Sequence, residues 1–354
     1  HSEDMVPLLE EGLGDGSGMI RALAAEGLAG LQAGRMSQRF RQALKDKAGW
    51  VRAIVLKGLG RSGDQAARDL IRPFLNDEQV VVQVAAAGAM VKLGHPELWG
   101  RIEKSAQQHE GYERGAAYRV FGELGDGRAI DILEQGLRDR QPSIRGAAAA
   151  SLGKLQRGEA VPLLMHALME KSPAVRSIAA VSLGKLRAEQ AIPALTKGLH
   201  DSNPGVRAAS VAALLRLSSP FSLVAPVVSE LIPNKTPGIR SGIAKALANG
   251  SGRDVTGTLY LLLNDPVPQP RITAARSLGR IGDRQILPRL KQALRDTFEL
   301  ADLPDWHTEE LPDRVWEREW LRDYKPMRFG ARLWVVPLDM PAPVDDAIVL
   351  RLDP

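Results

Sequence analysis

One short unit repeats along most of this chain of 354 residues. Aligning "MIRALAAEGL", "WVRAIVLKGLG", "SIRGAAAASLG" and their copies on one arginine gives nine key positions. These positions recur with a 31-residue period, except for one longer step of 33 between Arg207 and Arg240. The key positions are Arg21, Arg52, Gln83, Arg114, Arg145, Arg176, Arg207, Arg240 and Arg271. So many copies in phase cannot be chance, and they predict a repeat architecture.

Other residue types recur in step with the key position. A proline stands three residues before each of the last five, where the first turn of a helix tolerates it. These prolines are Pro142, Pro173, Pro204, Pro237 and Pro268. Apolar residues follow at helical spacing, and a second apolar segment such as "AVPLLMHALME" comes next. Each repeat is therefore predicted to be two antiparallel helices joined by a short turn.

An acid lies six residues before most key positions, so a carboxylate in one turn and an arginine in the next helix recur together. We expect stacking to join them into an arginine ladder, because a guanidinium can serve a carboxylate and turn carbonyls at once. The predicted ladder comprises Asp15, Arg21, Asp46, Arg52, Asp77, Arg114, Asp139, Arg145, Glu170, Arg176, Asp201, Arg207, Arg240, Asp265 and Arg271. Gln83, Gln108 and Asn234 interrupt it. The ladder is interpreted as structural, since catalytic groups are not duplicated in every turn of a solenoid.

The acid–arginine spacing, the proline at the helix start and the "LG" ending together resemble the HEAT-repeat family, over about residues 3–295. The resemblance implies an all-α, right-handed HEAT-like α-solenoid of about nine two-helix repeats, held by contacts between neighbouring repeats. It also implies that the concave surface binds another macromolecule, most simply a protein.

Composition narrows the classes of function. The chain has no cysteine, which excludes disulfides and thiolate metal sites and fits a cytoplasmic protein. No apolar run in the sequence is long enough to predict a membrane span. Residues 296–354 hold 7 basic and 14 acidic side chains, whereas residues 1–295 hold 40 basic and 28 acidic ones. The basic body makes nucleic acid a weaker alternative partner, because its charges are scattered.

Two enzyme groups built on similar repeats are the least favoured alternatives. Deoxyhypusine hydroxylases bind two irons through repeated His-Glu pairs, but this chain has a single such pair, His109–Glu110. Bilin lyases also use short repeats, and no residue here indicates a tetrapyrrole site. We also find no nucleophile elbow, Walker loop or GxGxxG motif. The sequence therefore predicts no catalytic, cofactor-binding or metal-binding residue in this chain.

The repeat stops after Arg295. Residues 296–312 are predicted to be a linker, and residues 313–354 a short αβ tail with one helix and two strands, at 332–338 and 347–352. Trp316 and Trp320 share one helix face. Together with Phe329 and Trp334 they are the predicted packing residues of the tail.

"WEREWLRDYKPMRFGARLWVVP", followed by "VLRLDP", resembles the linker and domain entry of the bacterial ribosomal-protein lysine methyltransferase (PrmA) family. Matching positions include Trp316, Trp320, Pro326, Trp334 and Pro354, whereas "PLDMPAP" replaces a more usual Pro-Ser-Trp stretch. In that family a domain that binds S-adenosylmethionine follows. S-adenosylmethionine is thus implied only if such a domain lies downstream, and no catalytic position of the family falls within this chain.

The sequence favours a non-catalytic, protein-binding scaffold that serves as the recognition arm of a longer PrmA-like protein methyltransferase. Its partner would be a protein, with a ribosomal protein as one candidate. The alternative is a free-standing HEAT-repeat adaptor whose tail caps the last repeat.

Overall fold

The computed structural model describes residues 5–30, 37–282, 327–329, 333–337 and 348–352. The helical residues fall into two compact units that divide after Ser62, and each is described separately. The architecture is an all-α HEAT-like solenoid. Trp316 and Trp320 lie outside the described residues, as does the predicted linker. No helix among the described residues is long and apolar enough to cross a membrane.

The described part of the chain holds eighteen α-helices of two alternating kinds, which we number in chain order. The even helices each carry one key position. They are α2 (Gly18–Gly30), α4 (Gly49–Ser62), α6 (Val80–Lys92), α8 (Gly111–Leu124), α10 (Pro142–Leu152), α12 (Pro173–Lys185), α14 (Pro204–Arg216), α16 (Pro237–Leu247) and α18 (Pro268–Ile281). The odd helices are α1 (Met5–Gly12), α3 (Gln38–Gln42), α5 (Ala67–Ile71), α7 (Trp99–Gln108), α9 (Ile130–Gly136), α11 (Ala160–Ala167), α13 (Ile192–Gly198), α15 (Phe221–Leu231) and α17 (Arg253–Leu262). Turns of 3₁₀ helix extend five odd helices, at Ala43–Lys45, Arg72–Asn76, Pro96–Leu98, Gly127–Ala129 and Glu189–Ala191.

Local chemistry sets where the even helices begin. The five predicted prolines are the first residues of α10, α12, α14, α16 and α18. In α14 the side chain of Asn203 also accepts hydrogen bonds from the backbone N–H groups of Gly205 and Val206. The proline removes one unpaired donor of the first turn, and the cap satisfies others.

Small residues let neighbouring even helices pack closely near their C-terminal ends. A Cβ atom built on Gly153 would lie 2.9 Å from Ser182 Cα, and one on Gly184 would lie 2.9 Å from Ala213 Cα. Real Cβ atoms do not approach a backbone carbon so closely, so these contacts require glycine. The ends of α10, α12 and α14 therefore lie side by side.

Alanine, leucine and valine make up most of the buried core. The bulkiest fully buried side chains include Phe40 in the first unit and Phe121 in the second. Phe121 packs against Trp99 with ring centroids 4.9 Å apart. The apolar faces of both helices of a repeat thus meet in one continuous layer within each unit.

The described part of the tail contains three strands, β1 (Met327–Phe329), β2 (Leu333–Pro337) and β3 (Ile348–Leu352). The second and third correspond to the two predicted strands, and β1 was not predicted. β1 pairs antiparallel with β2, whereas β2 pairs parallel with β3, in the register Leu333↔Ile348. A tight turn joins only antiparallel neighbours. β2 and β3 are therefore not the two arms of a hairpin.

Candidate protein-binding surface and the arginine ladder

The key arginine of one repeat contacts the acid that lies 25 positions later, in the turn before the next even helix. We call each such pair a rung of the arginine ladder. In the first unit, Arg21 Nε donates to Asp46 Oδ2 at 2.6 Å and Arg21 Nη2 to Oδ1 at 3.0 Å. Arg21 Nη1 donates to the carbonyl of Asp15 at 2.9 Å. The guanidinium thereby links its own turn to the next one, as the sequence pattern predicts.

Further rungs lie in the second unit. Arg176 donates to both carboxylate oxygens of Asp201, each at 2.8 Å, and to the carbonyl of Glu170 at 2.8 Å. Arg240 Nη2 donates to Asp265 Oδ1 at 2.8 Å, and Arg114 pairs with Asp139. The turn acid is fixed from a second side, since Asp201 also accepts the N–H of Asn203 at 2.8 Å.

Two rungs use glutamate and are weaker in geometry. Arg145 contacts Glu170 through Nη2 alone, at 2.8 Å. Arg207 contacts Glu230 through Nη2 alone, at 2.7 Å. In both arginines the buried Nε has no hydrogen-bond partner among the described residues. Asp46, Asp201 and Asp265 each accept from two guanidinium nitrogens, whereas these two glutamates, like Asp139, accept from one.

The interruptions in the sequence pattern have structural counterparts. Gln83 keeps half of the arrangement, because its Nε2 donates to the carbonyl of Asp77 at 2.7 Å. At the 33-residue step, Asn234 provides no carboxylate, and Glu230 on α15 takes that place. Sequence reasoning missed Glu230. The available signal was an acid one helical turn before the expected position.

The remaining ladder residues make the contacts to their own turns. Arg52 Nη1 donates to the carbonyl of Asp46 at 2.8 Å, and Arg271 Nη1 to that of Asp265 at 2.8 Å. Asp15 and Asp77 accept the N–H groups of Ser17 and Gln79, respectively. Every predicted ladder residue therefore lies at a turn between an odd helix and the following even helix, or one turn into that helix.

In four of the rungs the pKa of the carboxyl group is lowered. Hydrogen bonds from Arg21, Arg176 and Arg240 lower the pKa values of Asp46, Asp201 and Asp265, and burial offsets only part of the effect. Burial raises the pKa of Glu170, but hydrogen bonds from Arg145 and the backbone outweigh it, so that the net shift is downward. These carboxylates stay ionised and engaged with arginine. They can hold repeats together but are poorly suited to accept a proton in catalysis.

An apolar patch is exposed in the first unit. Met19 and Leu23 lie one turn apart on α2 and are 62% and 60% exposed. Trp50, at the start of α4, is 37% exposed, and its Cζ2 would lie 3.1 Å from a Cβ atom on Gly18. The indole therefore rests on the start of α2. We call Met19, Ile20, Leu23 and Trp50 the apolar patch.

The second unit repeats one element of this pattern. Tyr112 stands two residues before its key position, as Met19 and Trp50 do, and is 63% exposed. The Arg119 guanidinium lies over its ring, 5.0 Å from the centroid. Exposed Met, Trp, Tyr and Arg side chains are the residues that protein–protein interfaces favour.

Metal-binding clusters are absent from the described residues: no three His, Cys, Asp or Glu side chains could hold an ion there. His109 lies 3.0 Å from Glu113, and His95 lies 2.8 Å from Glu97. Each is an isolated pair. Of the predicted tail-packing residues, Phe329 belongs to β1 and Trp334 to β2.

Two family models match the chain. The HEAT-repeat model matches residues 37–120, 101–171, 130–215, 161–248 and 224–301. The model for ribosomal protein L11 methyltransferase (PrmA) matches residues 282–354.

Curated relatives match through short segments. A ribosomal protein L11 methyltransferase of Methylococcus capsulatus is 40% identical over 89 residues, which are 25% of this chain and 30% of the relative. One of Alkalilimnicola ehrlichii is 57% identical over 84 residues, which are 24% of this chain and 27% of the relative. The chain thus spans less than a third of the length of these relatives.

Solved structures match the chain at low identity and low TM-score. The complex of CpcE and CpcF of phycocyanin lyase from Nostoc is 18% identical, with a TM-score of 0.47 over 65% of this chain and 94% of that one. Human deoxyhypusine hydroxylase in complex with glycerol is 22% identical, with a TM-score of 0.32 over 60% of this chain and 84% of that one.

Proposed function

The chain belongs to the HEAT-repeat family, and from that premise we propose that it is the recognition arm of a protein methyltransferase related to ribosomal protein L11 methyltransferase. The observation that carries the proposal is the order of the two matches. The PrmA match begins at residue 282, directly after α18 ends at Ile281. A binding array would thus lead straight into the entry of a methyltransferase.

The proposed division of labour follows from what each part contains. The ladder carboxylates of the array are engaged with arginines, so the array would contribute affinity and not chemistry. S-adenosylmethionine and the catalytic groups would come from a domain beyond the tail. Holding a substrate beside a reactive centre raises its effective concentration, which is the gain that a recognition arm supplies.

The apolar patch is the proposed contact for the protein substrate. Binding energy in protein interfaces concentrates in a few large side chains at the centre of the contact, with Trp prominent among them. Met19, Leu23 and Trp50 have this character, and their exposed surface would be removed from water on binding. The names of the relatives make a ribosomal protein the first candidate substrate.

The first test is the reading frame downstream of Pro354. The proposal expects it to continue into a segment rich in Gly, Thr and His and then a domain that binds S-adenosylmethionine. A stop codon directly after Pro354 refutes the methyltransferase arm and leaves the adaptor.

The second test is kinetic and uses the longer protein. Leu23→Ser in the apolar patch should raise KM for a ribosomal protein substrate and leave kcat unchanged, because the patch binds but does not react. Leu261→Ser is the matched control, since Leu261 is 65% exposed on α17, far along the chain from the patch. Transfer of a radiolabelled methyl group measures both parameters. Equal effects of the two variants would argue against the patch as the substrate contact.

The second candidate function is a free-standing adaptor whose tail covers the last repeat. Deleting residues 313–354 distinguishes the adaptor from the recognition arm. An adaptor capped by its tail should lose melting temperature and solubility on deletion, because the apolar face of a terminal repeat becomes exposed. A recognition arm should melt at nearly the same temperature with and without these residues.

A further inference from the structure

The second half of the array carries a large positive charge that the ladder carboxylates do not neutralise. Residues 142–281 contain 17 Lys and Arg against 7 Asp and Glu. Four of the acids, Glu170, Asp201, Glu230 and Asp265, contact ladder arginines. Only Glu159, Glu189 and Asp254 remain in this range to face twelve cations outside the ladder.

Many of these cations lie at one end of the even helices. Neighbouring even helices run parallel, because the ladder joins their N-terminal ends while Gly153 and Gly184 bring their C-terminal ends together. Arg187, just past α12, also donates to the carbonyl of Arg216 at the end of α14, at 2.6 Å. The C-terminal ends of α10, α12, α14, α16 and α18 therefore form one continuous edge.

We call this the basic edge. Its cations recur with the repeat, nine residues after the key position at Lys154, Lys185, Arg216 and Arg280. It also includes cations one turn earlier and in the turns that follow. Its members are Lys154, Arg157, Lys185, Arg187, Arg216, Lys245, Arg253, Arg276 and Arg280.

Five acids lie beside the basic edge. One of them, Asp126, faces Arg157 but is already paired with Arg128, and the other four reduce the net charge of the edge from nine to five. Glu159, Glu189 and Asp254 lie at the starts of the neighbouring odd helices. Glu123, near the end of α8, lies 3.8 Å from the ammonium group of Lys154. The edge therefore stays strongly positive after these acids are counted.

Helix stability alone does not account for the edge. A cation in the last turn stabilises a helix by about 0.3–1 kcal/mol, which explains Lys185 or Arg280. It does not explain Arg157, which lies beyond the end of α10. Arg187 lies beyond the end of its own helix, α12, and contacts the end of α14.

The surroundings of the edge favour a phosphate backbone over a protein. Protein interfaces need an apolar centre. Near this edge the exposed large apolar side chains are Val181 and Leu223, at only 38% and 36% exposure. Within the described residues 142–281 the aromatic side chains are Phe221 and Tyr260, and neither is exposed. A single strand would therefore find no ring on which to stack its bases.

We infer that the basic edge binds the phosphodiester backbone of a nucleic-acid duplex, without reading its sequence. Helix axes packed about 10 Å apart place the cations of five even helices along roughly 40 Å. A rigid polyanion with evenly spaced charges matches this periodic row.

The test compares two triple variants of the full chain. The edge variant is Lys185→Gln, Lys245→Gln, Arg280→Gln. The matched control is Lys171→Gln, Lys197→Gln, Lys235→Gln, which removes the same charge from exposed positions at the ladder end and on an odd helix. The probes are fluorescein-labelled RNA and DNA duplexes of about 20 base pairs. Fluorescence anisotropy is recorded across a series of KCl concentrations.

Wild type and control should bind both duplexes with a steep salt dependence, because the phosphates are common to RNA and DNA. In the edge variant the slope of log K against log[salt] should fall in magnitude by about 2 to 3, near 0.9 per lost phosphate contact. Its Kd at about 0.1 M salt should rise by roughly tenfold or more.

Absence of duplex binding by the wild type overturns the inference, as does an equal loss in both variants. Polyglutamate that competes as well as duplex does, and binds through the same edge, would identify an acidic protein partner instead.

A second measurement uses the wild type alone and therefore does not depend on whether the variants fold. Bound duplex should protect Lys185 and Lys245 of the wild type from reductive methylation but leave Lys171 and Lys235 reactive, as mass spectrometry would show. Equal protection of all four lysines, or protection of none, would contradict duplex binding at the basic edge.

Discussion

The geometry of a rung should decide how much a ladder acid stabilises the array, and two neighbouring rungs allow a matched comparison. Asp201 accepts three hydrogen bonds, two from Arg176 and one from the N–H of Asn203, each at 2.8 Å. Glu230 accepts one, from Arg207, and its side chain is 61% exposed. Replacing either acid by alanine removes one negative charge, so the two variants differ in contacts and not in net charge.

The expected magnitudes follow from these contacts. Hydrogen bonds to charged groups contribute about 1.5–3 kcal/mol each when well buried. Arg176 and Asp201 retain 14% side-chain exposure, so water replaces part of what is lost. We expect Asp201→Ala to lower the free energy of unfolding by about 2–3 kcal/mol. Glu230→Ala should cost about 0.5 kcal/mol or less, as for an exposed ion pair.

Urea unfolding followed by circular dichroism measures both values. Repeat arrays can unfold in stages, so the comparison requires a single transition with an unchanged m-value. Hydrogen exchange of the amide of Asn203 provides a local check, because Asp201→Ala removes its acceptor. Costs for the two variants that agree within about 0.5 kcal/mol, the scale of an exposed ion pair, would refute the reasoning. Charge, and not the two-pronged geometry, would then determine the contribution of a rung.

Three further predictions test other parts of the account. The pKa of Asp201 is lowered in the folded state, so the stability it contributes is present above its unfolded pKa of about 4 and is lost as the pH falls from there through its folded pKa. The acid unfolding of Asp201→Asn should accordingly be less steep than that of the wild type. Gly184→Ala should destabilise by about 1–3 kcal/mol, because its Cβ would meet Ala213 Cα at 2.9 Å, whereas Gly257→Ala, with open space in α17, should stabilise by about 0.5–1 kcal/mol in the same urea assay. Ser218→Gly should raise the melting temperature by a few degrees, because Ser218 has φ of 59°, and no change in calorimetry would indicate that the backbone carries no strain there.

Features that recur with the repeat could be predicted from the sequence, because nine copies average out local exceptions. The helix starts at Pro173 and Pro204 are examples, and the pairing of Arg176 with Asp201 is another. Each depends on short-range geometry that is the same in every repeat. Within each unit, the 31-residue period places the acid of one turn beside the arginine of the preceding even helix.

Features set by a single copy could not be predicted in this way. Glu230 replaces a missing turn acid from a different position on α15, and only the stacked structure shows that its side chain reaches Arg207. The parallel pairing of β2 with β3 is likewise not specified by residue types, because the same apolar pattern suits either strand direction. The residue eleven positions after the key position has a left-handed backbone, and the sequence does not predict this for another reason. The position holds glycine at Gly125 but serine at Ser218, so no shared residue type reveals the shared backbone conformation.

The two ends of the even helices differ in how their charge is balanced, and this bears on both proposals. At the N-terminal end, arginine and carboxylate neutralise one another within the ladder, and Lys171 and Lys235 add charge outside it. At the C-terminal end of α10 to α18, cations recur with few acids beside them. The scattered basic charge of the sequence thus becomes a row once the helices stack in parallel. The apolar patch lies on α2 and α4, in the other unit. A variant such as Lys185→Gln should therefore leave binding at the patch unchanged, and Leu23→Ser should leave duplex binding unchanged.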